Sequence, residues 1–330
     1  MSLVAIKSGE SIQVQSDLTS ARVKREAINR TQGHSYEIRR HAYFLLLLIG
    51  SCSLFEASLR RLIYFAVTND YATHILLIPM MSVYLIYVRR NEIFLEPQSK
   101  FFWAGTLTLI SAIVSLSVRS RAQAGGYFSL EVLGIAALWI SLFALCYGVR
   151  AFRQAMFPLL FLVLMVPIPE FLLEKIIFAL RSGSATAAYW FLKGLSVPVF
   201  KDGFELILPT LNIEVAQQCS GIRSSIALLI TTLLVGEFAL RRIPSRILLV
   251  LSVLPILILK NGLRIVAVSL LTIYVDRGFL HGWLHTSGGI VFYLLGLVAF
   301  LPIIWWLKRV ESRAGSVQLA TRVGETALLP

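Results

Sequence analysis

Cysteine and charged residues are both scarce in this chain of 330 residues. The three cysteines, Cys52, Cys146 and Cys219, are too few and too scattered for a disulfide framework. Asp, Glu, Lys and Arg make up only 15% of the residues, whereas soluble domains carry about 25%. Apolar residues reach 57% and follow each other in long runs with short breaks. These features exclude a soluble or disulfide-stapled domain, and they predict one integral membrane domain.

Acidic residues are the scarcer charge, since 18 Asp and Glu against 31 Lys and Arg give a formal net charge of +13. The basic residues flank the hydrophobic runs and form no stripe interleaved with exposed aromatic residues. That distribution is typical of anchoring near anionic membrane lipid, and it argues against a nucleic-acid partner. Residues 1–40 are polar and contain no apolar core of signal-peptide length, so we expect a flexible cytoplasmic tail there.

The apolar runs predict an all-α polytopic membrane protein with about eight transmembrane helices. We place these spans at residues 42–58, 74–88, 101–118, 127–147, 154–169, 222–240, 247–275 and 288–306. Pairs of basic residues then fall on one side of the membrane, at Arg39-Arg40, Arg89-Arg90, Arg241-Arg242 and Lys308-Arg309. Because basic loops stay cytoplasmic, both termini are predicted inside, with a membrane domain over 41–307 and a cytoplasmic tail over 308–330.

The segment between residues 170 and 218 departs from this pattern. Residues 171–195 are apolar, but four charged side chains interrupt them, so we predict an interfacial or shallow helix. The interrupting residues are Glu174, Lys175, Arg181 and Lys193. After this helix, residues 203–208 and 211–215 alternate around Pro209-Thr210, which predicts a short β-hairpin directly before Cys219.

Cys219 is the cysteine in a polar setting, since Gln217-Gln218-Cys219-Ser220-Gly221 immediately precedes the predicted sixth span. At a helix N-terminus, the helix dipole and Arg223, one turn on, both favour the thiolate. The thiol is then either an unreactive group at a helix start or a nucleophile. In the second case, the unpaired backbone N–H groups of the first turn can hold an oxyanion.

Arg264 lies within an apolar segment, in Lys260-Asn261-Gly262-Leu263-Arg264. A guanidinium in that setting costs at least about 2.5 kcal/mol, so it is either part of a structural ion pair or a functional group. In an acyl-transfer site it stabilises the oxyanion or holds a substrate carboxylate. Asn261 is placed one turn earlier to orient Arg264 by hydrogen bonding, whereas Lys260 is interpreted as an interfacial charge.

His281 and His285 precede the predicted last span and are four residues apart. A helix would put them on one face, but no Glu lies between them and Gly282 weakens the helix, so a metal site is disfavoured. We predict neither a metal nor another cofactor. His285 is the better candidate for a general acid and base. A serine nucleophile is disfavoured because the chain has no Gly-x-Ser-x-Gly elbow. The predicted topology puts Cys219 and His285 on the non-cytoplasmic side.

These motifs resemble those of exosortases, multi-span cysteine enzymes of the exosortase/archaeosortase group. The resemblance runs from about Tyr71 to Leu307, and a Gly-Gly pair follows His285 where the family often has Gly-Trp. The motifs that carry it are Tyr71-Ala72-Thr73-His74, Phe157-Pro158-Leu159-Leu160-Phe161-Leu162 before Pro167-Ile168-Pro169, Cys219-Ser220-Gly221-Ile222-Arg223-Ser224, Asn261-Gly262-Leu263-Arg264 and His285-Thr286-Ser287-Gly288-Gly289.

The resemblance implies a cysteine peptidase or transpeptidase in a bacterial inner membrane, with its active site on the periplasmic side. The implied partners are membrane lipid and exported proteins that end in a sorting signal: a short motif such as Pro-Glu-Pro, an apolar helix and a basic tail. In this reading Cys219 attacks the scissile carbonyl, His285 protonates the leaving amine, and Arg264 stabilises the oxyanion. Arg223 is a supporting or substrate-carboxylate contact, and His74 is a supporting residue, as are Asn261, Ser220 and Gly221.

Two other classes of protein are compatible with some of these residues. A transporter or polysaccharide-export component also carries Arg and His in its spans, although the chain has no evident inverted repeat or paired broken helices. A metal-dependent intramembrane protease is the second alternative. Sensitivity to chelators would favour the metal enzyme, whereas sensitivity to thiol alkylation would favour the cysteine enzyme.

Overall fold

The computed structural model describes residues 38–94, 102–122, 127–209, 211–215, 221–276 and 289–326. These residues are mostly helical, with one small β-sheet between two of the helices. The predicted class, an all-α polytopic protein, is therefore confirmed. Thr210, the segment that contains Cys219 and Ser220, and the segment that contains His281 and His285 lie outside the described residues.

The helices vary in length from a single turn to more than ten turns. The α-helices of the described residues are α1 Ile38–Leu54, α2 Glu56–Thr68, α3 Leu77–Val88, α4 Arg90–Ile93, α5 Phe102–Ala122, α6 Phe128–Gln154, α7 Met156–Phe161, α8 Glu170–Gly194, α9 Ile222–Ala239, α10 Ile243–Leu251, α11 Val253–Tyr274 and α12 Gly289–Thr326. Two short 3-10 helices, Thr73–Leu76 and Leu162–Met165, precede α3 and follow α7.

The number of helices that can cross a membrane is smaller than the predicted eight. Among the described residues, four are long and apolar enough: Phe128–Gln154, Ile222–Ala239, Ile243–Tyr274 and Ile290–Ala314. The number rises to 6 if the pairs Ile38–Leu54 with Glu56–Thr68 and Met156–Met165 with Glu170–Gly194 each form one span. The predicted second and third spans fall in the shorter apolar helices Thr73–Val88 and Ala104–Arg119. By length and composition, the described residues therefore support four to six spans and not exactly eight, because some of the apolar runs fold as bent helix pairs.

The predicted seventh span was expected to be tilted, broken or partly outside the membrane, and the structure divides it into α10 and α11 at Ser252. Pro255 lies in the first turn of α11, where its missing N–H removes a hydrogen bond to the preceding helix. At the break itself, the Ser252 hydroxyl donates to the backbone oxygen of Leu249 at 2.6 Å. The proline therefore accounts for the position of the break.

The chain divides into two compact units. One takes the residues up to Ile63 together with Ile78–Val166, and the other takes Tyr64–Leu77 together with Pro167 onward. In the first unit α5 packs along α6, and Ser58 on α2 donates a hydrogen bond to the buried Glu131 carboxylate. The second unit contains the predicted site residues Gly221, Arg223, Asn261, Arg264 and His74.

Helices α8 and α11 of the second unit approach each other closely because small residues face each other. A Cβ atom at Gly262 would lie 2.7 Å from the Ala187 Cβ and 3.2 Å from the Ala188 backbone nitrogen. Similarly, a Cβ at Gly183 would lie 2.9 Å from the Ile258 Cδ1. Gly262 therefore sets the distance between the two helices, whereas Gly183 leaves room for the Ile258 side chain, and α11 is held against α8 along the face that carries Asn261.

The sheet of the second unit has three antiparallel strands in the order β1-β2-β3. They are β1 Phe200–Asp202, β2 Glu205–Leu208 and β3 Leu211–Glu214. Glu205 pairs with Glu214 and Leu208 with Leu211, so the predicted hairpin is confirmed in β2 and β3. The third strand, β1, was not predicted. Leu206 and Leu208 on β2 and Ile213 on β3 belong to one hydrophobic cluster with side chains of α8 and α11, which holds the sheet beside the helices that carry the site.

Two further predictions concern the position of α8 in the membrane and the limits of the membrane domain. Helix α8 on its own is not among the four candidate spans, and its interfacial position remains a prediction. Helix α12 continues to Thr326, beyond the predicted end of the membrane domain at residue 307. The domain limits 1–40, 41–307 and 308–330 also remain predictions.

Candidate functional site

Gly221 immediately precedes α9 in a backbone conformation that other residues rarely adopt. Its φ is 69° and its ψ is 18°, which is the left-handed region. A Cβ atom there would also lie 3.1 Å from Asn261 Oδ1. Both the conformation and the close approach require a glycine, so the turn into α9 is specified by this residue. The last two described residues on either side of the Cys219 segment are Val215 and Gly221.

Asn261 connects the start of α9 to α8. Its side chain is 4% exposed, and Nδ2 donates a hydrogen bond to Ser184 Oγ at 2.9 Å, while Oδ1 faces Gly221. The asparagine on α11 therefore fixes the positions of two other chain segments. The predicted hydrogen bond from Asn261 to Arg264 remains a prediction.

Arg264 and Lys260 are one turn apart on α11. Arg264 is half-buried in the second half of the candidate span Ile243–Tyr274, and its depth in a membrane remains a prediction. Lys260 was interpreted as an interfacial charge, and its depth in the membrane remains a prediction; within the protein the residue is buried, with 6% exposed. Its Nζ donates a hydrogen bond to Ser224 Oγ in the first turn of α9 at 2.5 Å. Two cationic residues of α11 thus lie on one stretch of the helix, and one reaches the start of α9.

Arg223 reaches a different part of the chain, the turn after α2. Its Nη1 lies 3.7 Å from Asp70 Oδ1, and the two side chains are 67% and 91% exposed. His74 follows in the 3-10 helix, where its Nδ1 lies 3.0 Å from the Tyr71 backbone oxygen. The exposed ion pair is therefore weak, but it places the turn that leads to His74 beside the first turn of α9.

Tyr71 lies in the same turn and remains neutral near physiological pH. Burial raises the pKa of its hydroxyl, and the nearby Glu170 carboxylate, which begins α8, raises this pKa further. The phenol is consequently a hydrogen-bond donor there rather than a base. The turn from Asp70 to His74 is thus close to the starts of both α8 and α9.

Arg181 on α8 holds the other end of the Cys219 segment. Its Nε donates to the Val215 backbone oxygen at 2.7 Å, and its Nη2 lies 3.5 Å from Glu214 Oε1. The guanidinium carbon also lies 4.1 Å from the centre of the Phe204 ring. With its side chain only 13% exposed, Arg181 anchors the end of β3 rather than extending into solvent or lipid headgroups.

Sequence reasoning missed Arg181, Ser184 and the role of Lys260. Arg181 was visible as a charge in an apolar run, but that signal was used only to assign an interfacial helix. A serine such as Ser184 carries no sequence signal in a helix, because its partner Asn261 lies 77 positions away. Cys219, Ser220 and His285 lie outside the described residues, so their approach to Arg264 remains a prediction.

The described site therefore consists of the start of α9 and the groups that surround it. First-turn N–H groups, Arg223 and the Lys260 ammonium give this helix end a positive potential, which favours anions and negative charge that develops during a reaction. Among the described residues, no cluster of three or more His, Cys, Asp or Glu side chains could hold a metal ion. Fold and site together define a multi-pass helical membrane protein with a cationic site at the N-terminus of α9, where the backbone N–H groups of the first turn are located.

Comparison with known protein families gives a more specific assignment. The profile of the transmembrane exosortase family matches residues 66–302, which is well over half of the 330 residues. This chain belongs to the transmembrane exosortase family. The resemblance inferred from the motifs is thereby confirmed. No curated protein and no solved structure matches the chain significantly.

Proposed function

We propose that this protein is a membrane-embedded cysteine protease or transpeptidase that cleaves the C-terminal sorting signals of exported proteins. The observation that carries the proposal is the family match over residues 66–302, which covers the whole described site around the start of α9. Exosortases are generally cysteine peptidase-like, and Cys219 lies two residues before the left-handed Gly221.

The proposed reaction proceeds through a thioacyl-enzyme intermediate. The Cys219 thiolate attacks the scissile carbonyl, and its sulfur–carbon bond forms as the carbonyl becomes a tetrahedral oxyanion. Arg264 and the first-turn N–H groups of α9 stabilise this negative charge. The intermediate collapses to a thioester as His285 donates a proton to the leaving amine. His285 then takes a proton from water, which gives hydrolysis, or from an acceptor nucleophile, which gives transfer.

The proposed substrate class is the one that the family resemblance implies, and a site on a membrane protein is compatible with it. A sorting signal that combines a short motif with an apolar helix presents its scissile bond at a fixed depth, so binding in the bilayer replaces three-dimensional search. We place the site at the periplasmic face of a bacterial inner membrane, where an exported protein arrives. Among the described strands β3 lies at one edge of the sheet, and in sequence it is followed by the Cys219 segment, so it offers an extended motif a place to pair as an added strand.

The test is the processing of a co-expressed reporter that ends in a Pro-Glu-Pro-type motif, an apolar helix and a basic tail. We expect Cys219→Ala to abolish processing while the protein accumulates in the membrane at the wild-type level. Cys52→Ala is the matched control, because it removes a half-buried thiol from α1, outside the site. It should retain activity within about twofold.

Inhibitors separate this proposal from its alternatives. Thiol alkylation should stop processing by wild type and by Cys52→Ala, whereas a chelator should have no effect. Inhibition by the chelator alone would indicate a metal-dependent protease. Continued processing by Cys219→Ala would contradict the cysteine mechanism, and loss of export without any change in cleavage would indicate a transport component.

A further inference from the structure

Lys260 is a buried cation in the site, and the proposed reaction gives it no role. It lies in α11, a candidate membrane span, and is 6% exposed. An ammonium in such a position is costly unless it is paired, and residues of this kind usually serve a function. In the described part of the chain it is hydrogen-bonded to the hydroxyl of Ser224 and to no carboxylate.

The Lys260 side chain packs in a space between α9 and α12. Gly296 on α12 lies beside it, since a Cβ atom at this position would be 3.5 Å from Lys260 Cδ. The same Cβ would lie 3.2 Å from Leu228 Cδ2 on α9. A larger residue at position 296 would therefore compete with the aliphatic stem for space. The lysine reaches Ser224 through packing that three helices share.

Ser224 is also hydrogen-bonded to Gly221, the residue that immediately precedes α9. Its hydroxyl accepts the hydrogen bond from Lys260 and donates to the Gly221 backbone oxygen at 3.0 Å. Gly221 is the residue whose left-handed conformation sets the direction of the chain between α9 and the Cys219 segment. Lys260 is thus connected through one side chain to the backbone two residues after the proposed nucleophile.

The Lys260 ammonium lies where it does not stabilise α9. A helix N-terminus carries a partial positive charge, so a cation beside it lowers rather than raises the stability of the helix. A buried cation there becomes favourable once the site holds a negative charge, such as a thiolate or an oxyanion. The placement of Lys260 therefore fits a role in the reaction better than a role in folding.

We propose that Lys260 is a positioning residue for the cysteine chemistry: it holds Gly221 through Ser224 and keeps a buried positive charge at the start of α9. This inference rests on the proposed function of the site. The negative group that it serves belongs to the reaction itself, and Lys260 neither attacks the substrate nor transfers a proton.

The first experiment is a double-mutant cycle on reporter processing with Lys260→Met and Ser224→Ala. Each single change should lower kcat about 10- to 100-fold, the range for loss of a charged hydrogen bond, with KM changed less than about threefold. The double variant should be no slower than the slower single variant. Lys201→Met is the matched control, because Lys201 Nζ donates to Thr186 Oγ1 at 3.0 Å in the same unit, and it should stay within about threefold of wild type.

The second experiment measures the pH dependence of Cys219 alkylation in a Cys52→Ala, Cys146→Ala background. Loss of a buried positive charge should raise the midpoint of alkylation by about one pH unit in Lys260→Met and leave it unchanged in Lys201→Met. A purely structural role would reduce the amount of folded protein without moving this midpoint. If Lys260→Met does not accumulate, Ser224→Ala alone decides, since it removes only one hydroxyl from the same hydrogen-bonded chain.

Three results would each overturn the role of Lys260. The first is a wild-type kcat in either single variant, and the second is rate losses that multiply in the double variant. The third is an unchanged alkylation midpoint in Lys260→Met. The proposed function fails separately, because its test is the activity of Cys219→Ala. If Cys219→Ala is inactive while Lys260→Met processes the reporter normally, only the inference about Lys260 is lost.

Discussion

Gly221 and Asn261 show how two small residues can fix the start of a helix. The glycine takes a left-handed conformation that leaves its Cα facing the buried amide of Asn261, and the amide in turn is bonded to Ser184 on α8. Any side chain at position 221 would lose either the conformation or the contact. The turn into α9 is therefore determined at the level of single atoms.

Gly221→Ala should consequently reduce reporter processing more than the addition of one methyl group usually does. The left-handed conformation costs a non-glycine residue about 1–2 kcal/mol, and the added methyl would press on Asn261 Oδ1 at 3.1 Å. We expect reporter processing to fall at least about tenfold. Gly194→Ala, at the end of α8, is the control, because no atom lies within 4 Å of its Cβ position. Equal activity of the two variants would contradict this prediction.

The exposed pair of Arg223 and Asp70 is suited to exchanging partners. At 3.7 Å and with both side chains largely in solvent, it contributes at most about 1 kcal/mol to stability. If Arg223 binds the motif carboxylate, Asp70 competes for the same guanidinium. Asp70→Asn should then lower the KM for an acidic motif by about two- to fivefold, and Arg223→Gln should raise it about tenfold.

Kinetics with two reporters test this competition. With a reporter in which the motif Glu is replaced by Gln, both variants should have the KM of the wild type. The same KM changes with both reporters would show that Arg223 does not bind the motif carboxylate. High salt should reduce the difference between the reporters, because the contact is exposed.

At the scale of elements, α8 and α11 form the support of the site. Their contact depends on small residues, and it brings Ser184 of α8 to Asn261 of α11. Arg181 on the same helix α8 holds Val215 at the end of β3. One helix pair therefore fixes both described ends of the segment that contains Cys219.

Gly262→Ala should weaken this helix pair directly. The new Cβ would lie 2.7 Å from the Ala187 Cβ, and such overpacking typically costs about 1–3 kcal/mol. We expect a Tm several degrees lower in detergent, together with reduced processing. The double variant Ala187→Gly, Gly262→Ala should recover part of the loss, since it removes the methyl group at the nearest contact. A double variant less stable than Gly262→Ala would contradict this packing.

The outer edge of β3, which is an edge strand among the described residues, is the proposed place for the extended sorting motif. A photoreactive residue at position 212, exposed on β3, should crosslink to the motif of the reporter. The matched control is position 202, which is exposed on β1 at the opposite edge of the sheet. Preferential crosslinking from position 202 would place the motif elsewhere.

The elements also show what sequence patterns can and cannot predict. Alternation around Pro209 predicted β2 and β3, but β1 has only three residues, Phe200–Asp202, too few to reveal a period. Hydropathy located the apolar runs, yet the bend between α1 and α2 at Phe55 depends on packing in the folded chain. The burial of Lys260 was also invisible, because Gly296 makes room for it from 36 positions away.

For the whole molecule, the sequence was sufficient to predict the class and the family. Scarce charge and long apolar runs predict a membrane protein, and the ordered motifs around Cys219, Arg264 and His285 identified the exosortase resemblance that the family match confirms. The motifs are readable because each departs from its apolar surroundings. Residues that act through distant partners, such as Arg181 and Ser184, became apparent only from the fold.

The central claim is that the reaction passes through a thioester on Cys219, and trapping that thioester tests it most directly. Purified enzyme in membranes would be incubated with the reporter and hydroxylamine, and the products analysed by mass spectrometry. We predict a hydroxamate at the new C-terminus of the reporter, and a reporter fragment bound to Cys219 when the reaction is quenched early in acid. A product that carries only a carboxylate at saturating hydroxylamine, with no adduct on Cys219, would contradict the thioacyl mechanism.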